Sequence, residues 1–430
     1  MGHTIDTGLA YRRLQQRLDR NVTGAPDSPA LMKILRILFS RDEADLAARI
    51  PTRLSSIPAL AERLGVPAEE LDDKITDMAQ RGLVVDVVRD DKRYVSLAPV
   101  VIGFFEFTFM RTRDDLPMKR LAELFEQYFY ENDRFGRSIF QGQTQIGRSL
   151  VREEALPDDD HVEILDWERA THIVASASAH AVSLCACRHK ASHLGKACEA
   201  PIEVCLTLNS SAETMARNGI ARRIDTKEAL NTLERCKEAG LAQTGDNVQR
   251  NVGYICNCCG CCCGMMQAIR TLGIRNAIVT SNWITEIDES RCKGCARCAE
   301  ACPIGAIGMV PAPGANKKGV RARRDEEVCL GCAVCYPACL NGALTMRPRE
   351  RRVFTPETLF DHYVAMAIER GKLSDLIFED PDSFSHQALG RVLGTLEKTE
   401  PYKAMMAIAP LRSVFLSGVV AAAKLGKTLS

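Results

Sequence analysis

Nineteen cysteines stand in this sequence, and every one lies between Cys185 and Cys339. Thiolate sulfur is a soft ligand for zinc or iron–sulfur clusters, and an odd number of cysteines at CxxC spacing cannot form a fully paired disulfide framework. The sharpest pattern is an internal repeat: RCKGCARCAEACPIGAIGM from Arg291 matches VCLGCAVCYPACLNGALTM from Val328, at an offset of 37 residues. Cysteines coincide at 292/329, 295/332, 298/335 and 302/339, as do Gly294/Gly331, Gly305/Gly342 and Ala306/Ala343. Each half reads C-x2-C-x2-C-x3-C, in which one tight loop offers three thiolates to an iron–sulfur cube and the fourth crosses to a second cluster. A structural zinc site asks instead for four ligands from two CxxC pairs. Packing as small apolar residues accounts for one or two cysteines, not for eight at repeated spacing.

On these residues the segment resembles a bacterial-type ferredoxin with two [4Fe–4S] clusters. The resemblance implies one cluster on Cys292, Cys295, Cys298 and Cys339, and the other on Cys329, Cys332, Cys335 and Cys302. It also implies backbone N–H groups near the sulfurs, close turns at Gly305–Ala306 and Gly342–Ala343, and shielding by Ile304, Ile307, Leu340 and Leu344. Leu340 replaces the proline found at Pro303, and the insertion PAPGANKKGVRARR lengthens the interval between Cys302 and Cys329.

A second cysteine field precedes the repeat. Cys185, Cys187, Cys198 and Cys205 come from CACRHKASHLGKACEAPIEVC, and Cys256, Cys258, Cys259, Cys261, Cys262 and Cys263 from CNCCGCCCG. Adjacent side chains point apart, so these six cannot all reach one cubane, and ligands from both blocks are expected to converge. At least one additional iron–sulfur cluster is expected, with Cys187, Cys198, Cys205 and thiolates of Cys256–Cys263 as ligands. Spare cysteines are left for another cluster or thiol chemistry. Arg188, His189, His193 and Lys196 are placed to offset cluster charge or orient a substrate, and Cys236 reads as a packing residue. This stretch resembles a group of larger bacterial ferredoxin-like proteins with a CxCR…GK-C pattern and a CNCC-x-CCC run ahead of a ferredoxin domain. Cys258-Cys259-Gly260 and Cys262-Cys263-Gly264 are also loosely similar to the CCG domains of heterodisulfide reductases.

The elements that must position these ligands read as α+β, mainly helical. Residues 1–29 form an N-terminal helix and linker. Residues 30–100 give helix, turn, helix and β-hairpin, the order of a winged helix. Its second helix carries Glu69, Glu70, Asp72, Asp73 and Asp77, the wrong sign for a phosphate-lined groove. Residues 101–180 are an aromatic-rich helical region, 181–280 a helical cysteine-rich middle domain, 281–348 a small βαβ ferredoxin-like dicluster domain, and 349–430 a helical C-terminal extension. The last segment, AMMAIAPLRSVFLSGVVAAAKLGK, is too short to span a bilayer and is a candidate for packing or surface docking.

The chain has 430 residues with 56 basic and 55 acidic side chains, so no global charge bias points to nucleic acid. From Arg291 to Arg352, however, 12 basic residues face 5 acidic ones. Lys317, Lys318, Arg321, Arg323 and Arg324 are therefore candidates for docking an acidic redox partner. No GxGxxG follows a strand and no P-loop appears, so electrons are expected to enter and leave through partner proteins or at a cluster. The N-terminus lacks the apolar core of a signal peptide, and reduced thiols suit the cytoplasm. The leading expectation is a multi-cluster electron-transfer protein. A reductase centred on Cys185–Cys263 and a redox-sensing regulator with the winged module as output are the alternatives.

Overall fold

The computed structural model describes residues 8–156, 166–378, 391–397, 399 and 401–402. Two units result, each discontinuous in sequence: Met1–Phe105, Leu124–Thr144 and Tyr363–Ser430 form one, Glu106–Glu123 and Gln145–His362 the other.

Capping sets the helices of the first unit. Helix α1 spans Leu9–Asp19, α2 Pro29–Leu38 and α3 Arg41–Arg49. Ser28 accepts from the Leu31 N–H ahead of Pro29, and Ser40 and Glu43 form a reciprocal capping box. Strand β1 (Ser55–Ser56) leads into α4 (Ile57–Leu64), capped by Ser56 and stopped by Gly65 in the left-handed region. Helix α5 (Ala68–Gln80) and the hairpin β2 (Val84–Arg89) and β3 (Lys92–Leu97) follow, in a sheet of order β1-β3-β2. The hairpin turns at Asp90 and Asp91, with φ of 48° and 56°, as a two-residue turn matched to strand twist requires. Arg93 on β3 reaches Asp72 of α5 at 2.8 Å and Asp86 of β2 at 3.0 Å. Helices α6 (Phe105–Phe109), α7 (Met118–Tyr130) and α8 (Arg134–Ile139) carry the aromatic stretch. Within this unit Phe39 meets Phe104 edge-on and Phe129 stacks on Phe135 at 5.2 Å, so these rings are core. Lys372 donates to the Asp19 carbonyl at the C-terminal end of α1, where that helix supplies no partner, and to the Asn21 carbonyl just beyond it.

The second unit corrects the expectation of a helical middle domain. Its elements are β4 (Gly147–Ser149), α9 (Ala170–Ser176), β5 (His180–Leu184), α10 (Ala186–His193), β6 (Glu203–Leu208), α11 (Asn209–Arg217), β7 (Arg222–Ile224), α12 (Thr226–Glu238), β8 (Ala242–Asp246), β9 (Tyr254–Cys258) and α13 (Gly264–Arg270). The strands form an antiparallel sheet of order β4-β8-β9-β6-β5-β7. They are short and alternate in character, so each contributes one apolar and one polar face. Val182, Leu206 and Ile255 lie in one cross-strand row and join the core beneath α9 and α12. The neighbouring row, on the opposite face, runs Ser183, Cys205, Cys256, Thr244.

The repeat follows as β10 (Trp283–Ile287), α14 (Arg297–Ala301), β11 (Ile307–Pro311), β12 (Val320–Arg324) and β13 (Leu344–Pro348). A shift of 37 residues carries β10 onto β12 and β11 onto β13. Pairing crosses between the halves, β10 with β13 and β11 with β12. Matching backbone bonds lock it, Asp288 N–H to Ala343 O at 2.8 Å and Asp325 N–H to Ala306 O at 2.7 Å. Helices α15 (Leu359–Glu369) and α16 (Leu373–Ile377) end the sequence of described elements. Among the described residues no helix is long and apolar enough to cross a membrane. The segment from Ala404 to Lys427 lies outside them.

Two glycines of the repeat separate conformational strain from steric clash. A Cβ on Gly331 would lie 2.0 Å from the Trp283 carbonyl oxygen, at φ of 69°, whereas Gly305, at 71°, meets nothing within 4 Å. Gly305→Ala is expected to cost roughly 1 kcal/mol. Gly331→Ala must also displace β10 and is expected to cost more than about 3 kcal/mol with lost cluster yield. Thermal unfolding and iron content of the two variants check this ordering.

Candidate metal centres

The repeat folds its eight cysteines into two groups. Cys298 lies within electrostatic reach of Cys339, Cys292 and Cys295. Cys332 has Cys335, Cys302 and Cys329 as neighbours. The fourth cysteine of each half thus stands with the first three of the other. Ala296 and Ala333, at equivalent positions, take the left-handed conformation with φ of 68° and 60°, which curls each CxxCxxC loop back on itself. Backbone N–H groups approach the sulfurs in pairs, Ala306 to Cys302 at 3.2 Å and Ala343 to Cys339 at 3.3 Å. Thr285 is 3.4 Å from Cys335. Ile304, Ile307 and Leu344 are buried beside these loops, but Leu340 is 75% exposed and shields nothing. Its counterpart Pro303 is buried because the cysteine-dense loop sits on it. A Cβ on Gly260 would fall 2.2 Å from the Pro303 carbonyl oxygen.

The second cysteine field divides into two sets. Cys205 on β6 and Cys256 and Cys258 on β9 share the polar face of the sheet, and Cys187 in the first turn of α10 and Cys263 before α13 close over it. Thiol contacts run in a chain, Cys205 to Cys256 to Cys258 to Cys263 to Cys187. Hydrogen bonds from Cys256 and Cys263, with Thr244 at 3.2 Å, draw the Cys258 thiol down to about 6. Contact with Cys205 and Cys258 pushes Cys256 up.

The other set is Cys198, Cys259, Cys261 and Cys262, whose sulfurs all lie within 4.8 Å of one another. Cys258 and Cys259 fall in different sets, as do Cys262 and Cys263, whereas the adjacent Cys261 and Cys262 bring their sulfurs together at 3.5 Å. Cys198 parts from Cys187 and Cys205, a separation that spacing alone does not reveal. A hydrogen bond from Cys262, helped by the Arg188 charge, lowers the Cys259 thiol to about 4. Burial raises Cys185. It lies with Cys236, which is fully buried, against Val204 and Leu241.

Arg188 tests whether these sets suit metal. It is 1% exposed, and its guanidinium donates to the carbonyls of Pro201 and Asn257. Its charged surroundings are Cys185, Cys259, Cys258 and Cys198. No carboxylate among the described residues pairs with it. A buried cation needs counter-charge, and thiolates, the form in which cysteine binds metal, supply it. His189 Nδ1–H donates to the Phe109 carbonyl at 2.8 Å, and the ring packs on His193. Neither histidine joins the four-sulfur group.

A cavity of about 710 Å³ opens between the two fields, with Cys198, Cys259 and Cys261 on one side and Cys302 and Pro303 on the other. Arg152, Lys237 and Arg270 also line it. Of the basic insertion, Arg321 is paired with Glu289 and Arg324 with Glu326, leaving Lys317, Lys318 and Arg323 as its exposed charges.

Residues 291–343 match the family model of a 4Fe-4S dicluster domain, so this part of the chain is a ferredoxin-type iron–sulfur domain. No curated protein and no solved structure matches the chain.

Arg188→Met is expected to weaken metal retention in the second field by about 10- to 100-fold, leaving the iron of the repeat in place; metal analysis before and after a chelator wash checks it. Burial pushes Cys335 up to about 12 and raises Cys332 as well, so both thiols are protonated in the metal-free chain at neutral pH. Cluster assembly releases those protons. Reconstitution of the repeat is therefore expected to weaken as pH falls and strengthen as it rises, read from visible absorbance.

Proposed function

We propose that this protein passes single electrons between redox partner proteins through two [4Fe–4S] clusters in the repeat and at least one further cluster in the second field. The crossed quartets, Cys292, Cys295, Cys298 with Cys339 and Cys329, Cys332, Cys335 with Cys302, hold the first two. The chain of Cys187, Cys205, Cys256, Cys258 and Cys263 holds the further one. When bound, the clusters supply one-electron redox states at fixed positions. The residues around them set those states. Backbone N–H groups of Ala306 and Ala343 favour the more negative, reduced form, Arg188 offsets thiolate charge, and Ile304, Ile307 and Leu344 keep water out.

The observation that carries this reading is the contact of Gly260 with Pro303. It presses the cysteine-dense loop against the segment bearing Cys302 and leaves no side chain between them at that point. Lys317, Lys318 and Arg323 serve as the docking charges for an acidic partner in the cytoplasm. Residues 30–100 act as a winged-helix docking module, and nucleic acid is not its partner. The acidic α5 is tied to Arg93, which points that cation inward rather than toward a phosphate backbone.

The 710 Å³ cavity favours a second reading, a reductase. A small substrate bound there would meet both fields, in a lining of mixed charge that carries Arg152, Lys237 and Arg270 beside Glu154, Glu234, Glu238 and Glu300.

Cys298→Ser/Cys335→Ser removes one ligand from each ferredoxin quartet. Anaerobically reduced protein is expected to reoxidise with a one-electron acceptor at least tenfold more slowly in the variant, with unchanged far-ultraviolet circular dichroism. An unchanged rate would sink the electron-wire reading. Reoxidation of the purified wild type by a small substrate alone would favour the reductase.

A further inference from the structure

We infer that Cys198, Cys259, Cys261 and Cys262 bind one tetrahedral metal ion, zinc or iron, and not a cluster. Four thiolates at about 2.3 Å from a single ion stand about 3.8 Å apart at the corners of a tetrahedron. Here Cys198 lies 3.7 Å from Cys259, Cys261 lies 3.5 Å from Cys262, and Cys262 lies 4.0 Å from Cys198. A cubane places four irons and four sulfides between its ligands and holds them further apart.

The protein contains its own comparison. Among the described residues these four cysteines form a group able to hold one metal ion, their sulfurs within 4.8 Å of one another, and no ferredoxin cysteine belongs to such a group. The two kinds of spacing occur in one chain, built from the same residue type.

The chain path also suits a single ion. Three ligands come from the turn after β9, and the fourth from the loop between α10 and β6, so the ion ties two segments together. Cys262 is buried, Cys198 and Cys259 are half-buried, and Cys261 is exposed, which leaves one side of the site on the cavity. Four thiolates and a divalent ion carry a net charge of about −2, and the buried Arg188 lies beside Cys198 and Cys259 to offset it. Soft sulfur ligands in a tetrahedron select zinc or iron over harder cations. Whether the five-thiol set holds a cluster does not enter this inference.

The test is metal content of the full chain purified without oxygen, wild type against Cys259→Ser/Cys262→Ser. The variant is expected to lose one ion per chain and keep the remaining iron. Loss of one zinc identifies a structural ion; loss of one iron, with disappearance of a mononuclear high-spin ferric signal, identifies a redox ion. Loss of about four irons, as a [4Fe–4S] cluster would give, overturns the inference, and so does no loss at all. Should the double variant fail to fold, Cys198→Ala takes its place on a separate segment. The wild type also decides alone. X-ray absorption at the zinc edge is expected to resolve a single ion with four sulfurs at about 2.3 Å, or Mössbauer spectroscopy a mononuclear four-thiolate iron, and absence of both components overturns the site.

Discussion

Negative charge on sulfur, held away from water, is the condition that the second unit has to satisfy. A thiolate buried without a counter-charge simply takes up a proton, as burial does to Cys335 and Cys332. The fold answers with backbone N–H groups in the repeat and with one buried guanidinium in the other field. Arg188 reaches cysteines of both sets in that field, so a single side chain links their electrostatics. Its own position is fixed by two carbonyls, Pro201 and Asn257, from the loop before β6 and from β9.

Geometry then sorts nineteen similar residues into different roles. On β9, alternation puts Cys256 and Cys258 on the face opposite Ile255, so one strand serves a hydrophobic core and a thiol row at once. After β9 the chain turns, and Cys258 parts from Cys259 and Cys262 from Cys263 while Cys261 and Cys262 stay together. In the repeat the same result comes from left-handed alanines and crossed strands. The two fields meet at a glycine, where a side chain would collide with the Pro303 carbonyl.

Much of the repeat was legible in the sequence. Cysteine spacing and the 37-residue offset indicate a ferredoxin-type domain, and both survive in strand pairing and backbone bonds. Capping is local chemistry too, and Ser56 and Gly65 bound α4 without help from distant residues. The six-stranded sheet was not legible. Strands of three to six residues, such as Arg222–Ile224 and Glu203–Leu208, carry too little pattern to stand out between helices. Leu340 misled for a related reason: a distant loop covers its counterpart Pro303, and Leu340 itself stays exposed. The parting of Cys198 from Cys187 and Cys205 likewise depends on which way a sheet face turns, and Thr244 and Ser183 carried no motif to mark them.

The crossed pairing of β10 with β13 and β11 with β12 also orders events during synthesis. The β10–β13 sheet and the quartet that includes Cys339 cannot close until residues through Pro348 have left the ribosome, whereas β11 and β12 can pair as soon as Arg324 is made. The other field is complete in sequence at Cys263. A newly made chain can therefore acquire metal there first. The loop carrying Gly260 is then already shaped when the Cys302–Pro303 segment arrives to pack on it. In chain order the less familiar field is thus completed before the ferredoxin repeat, the reverse of the order in which the motifs draw the eye.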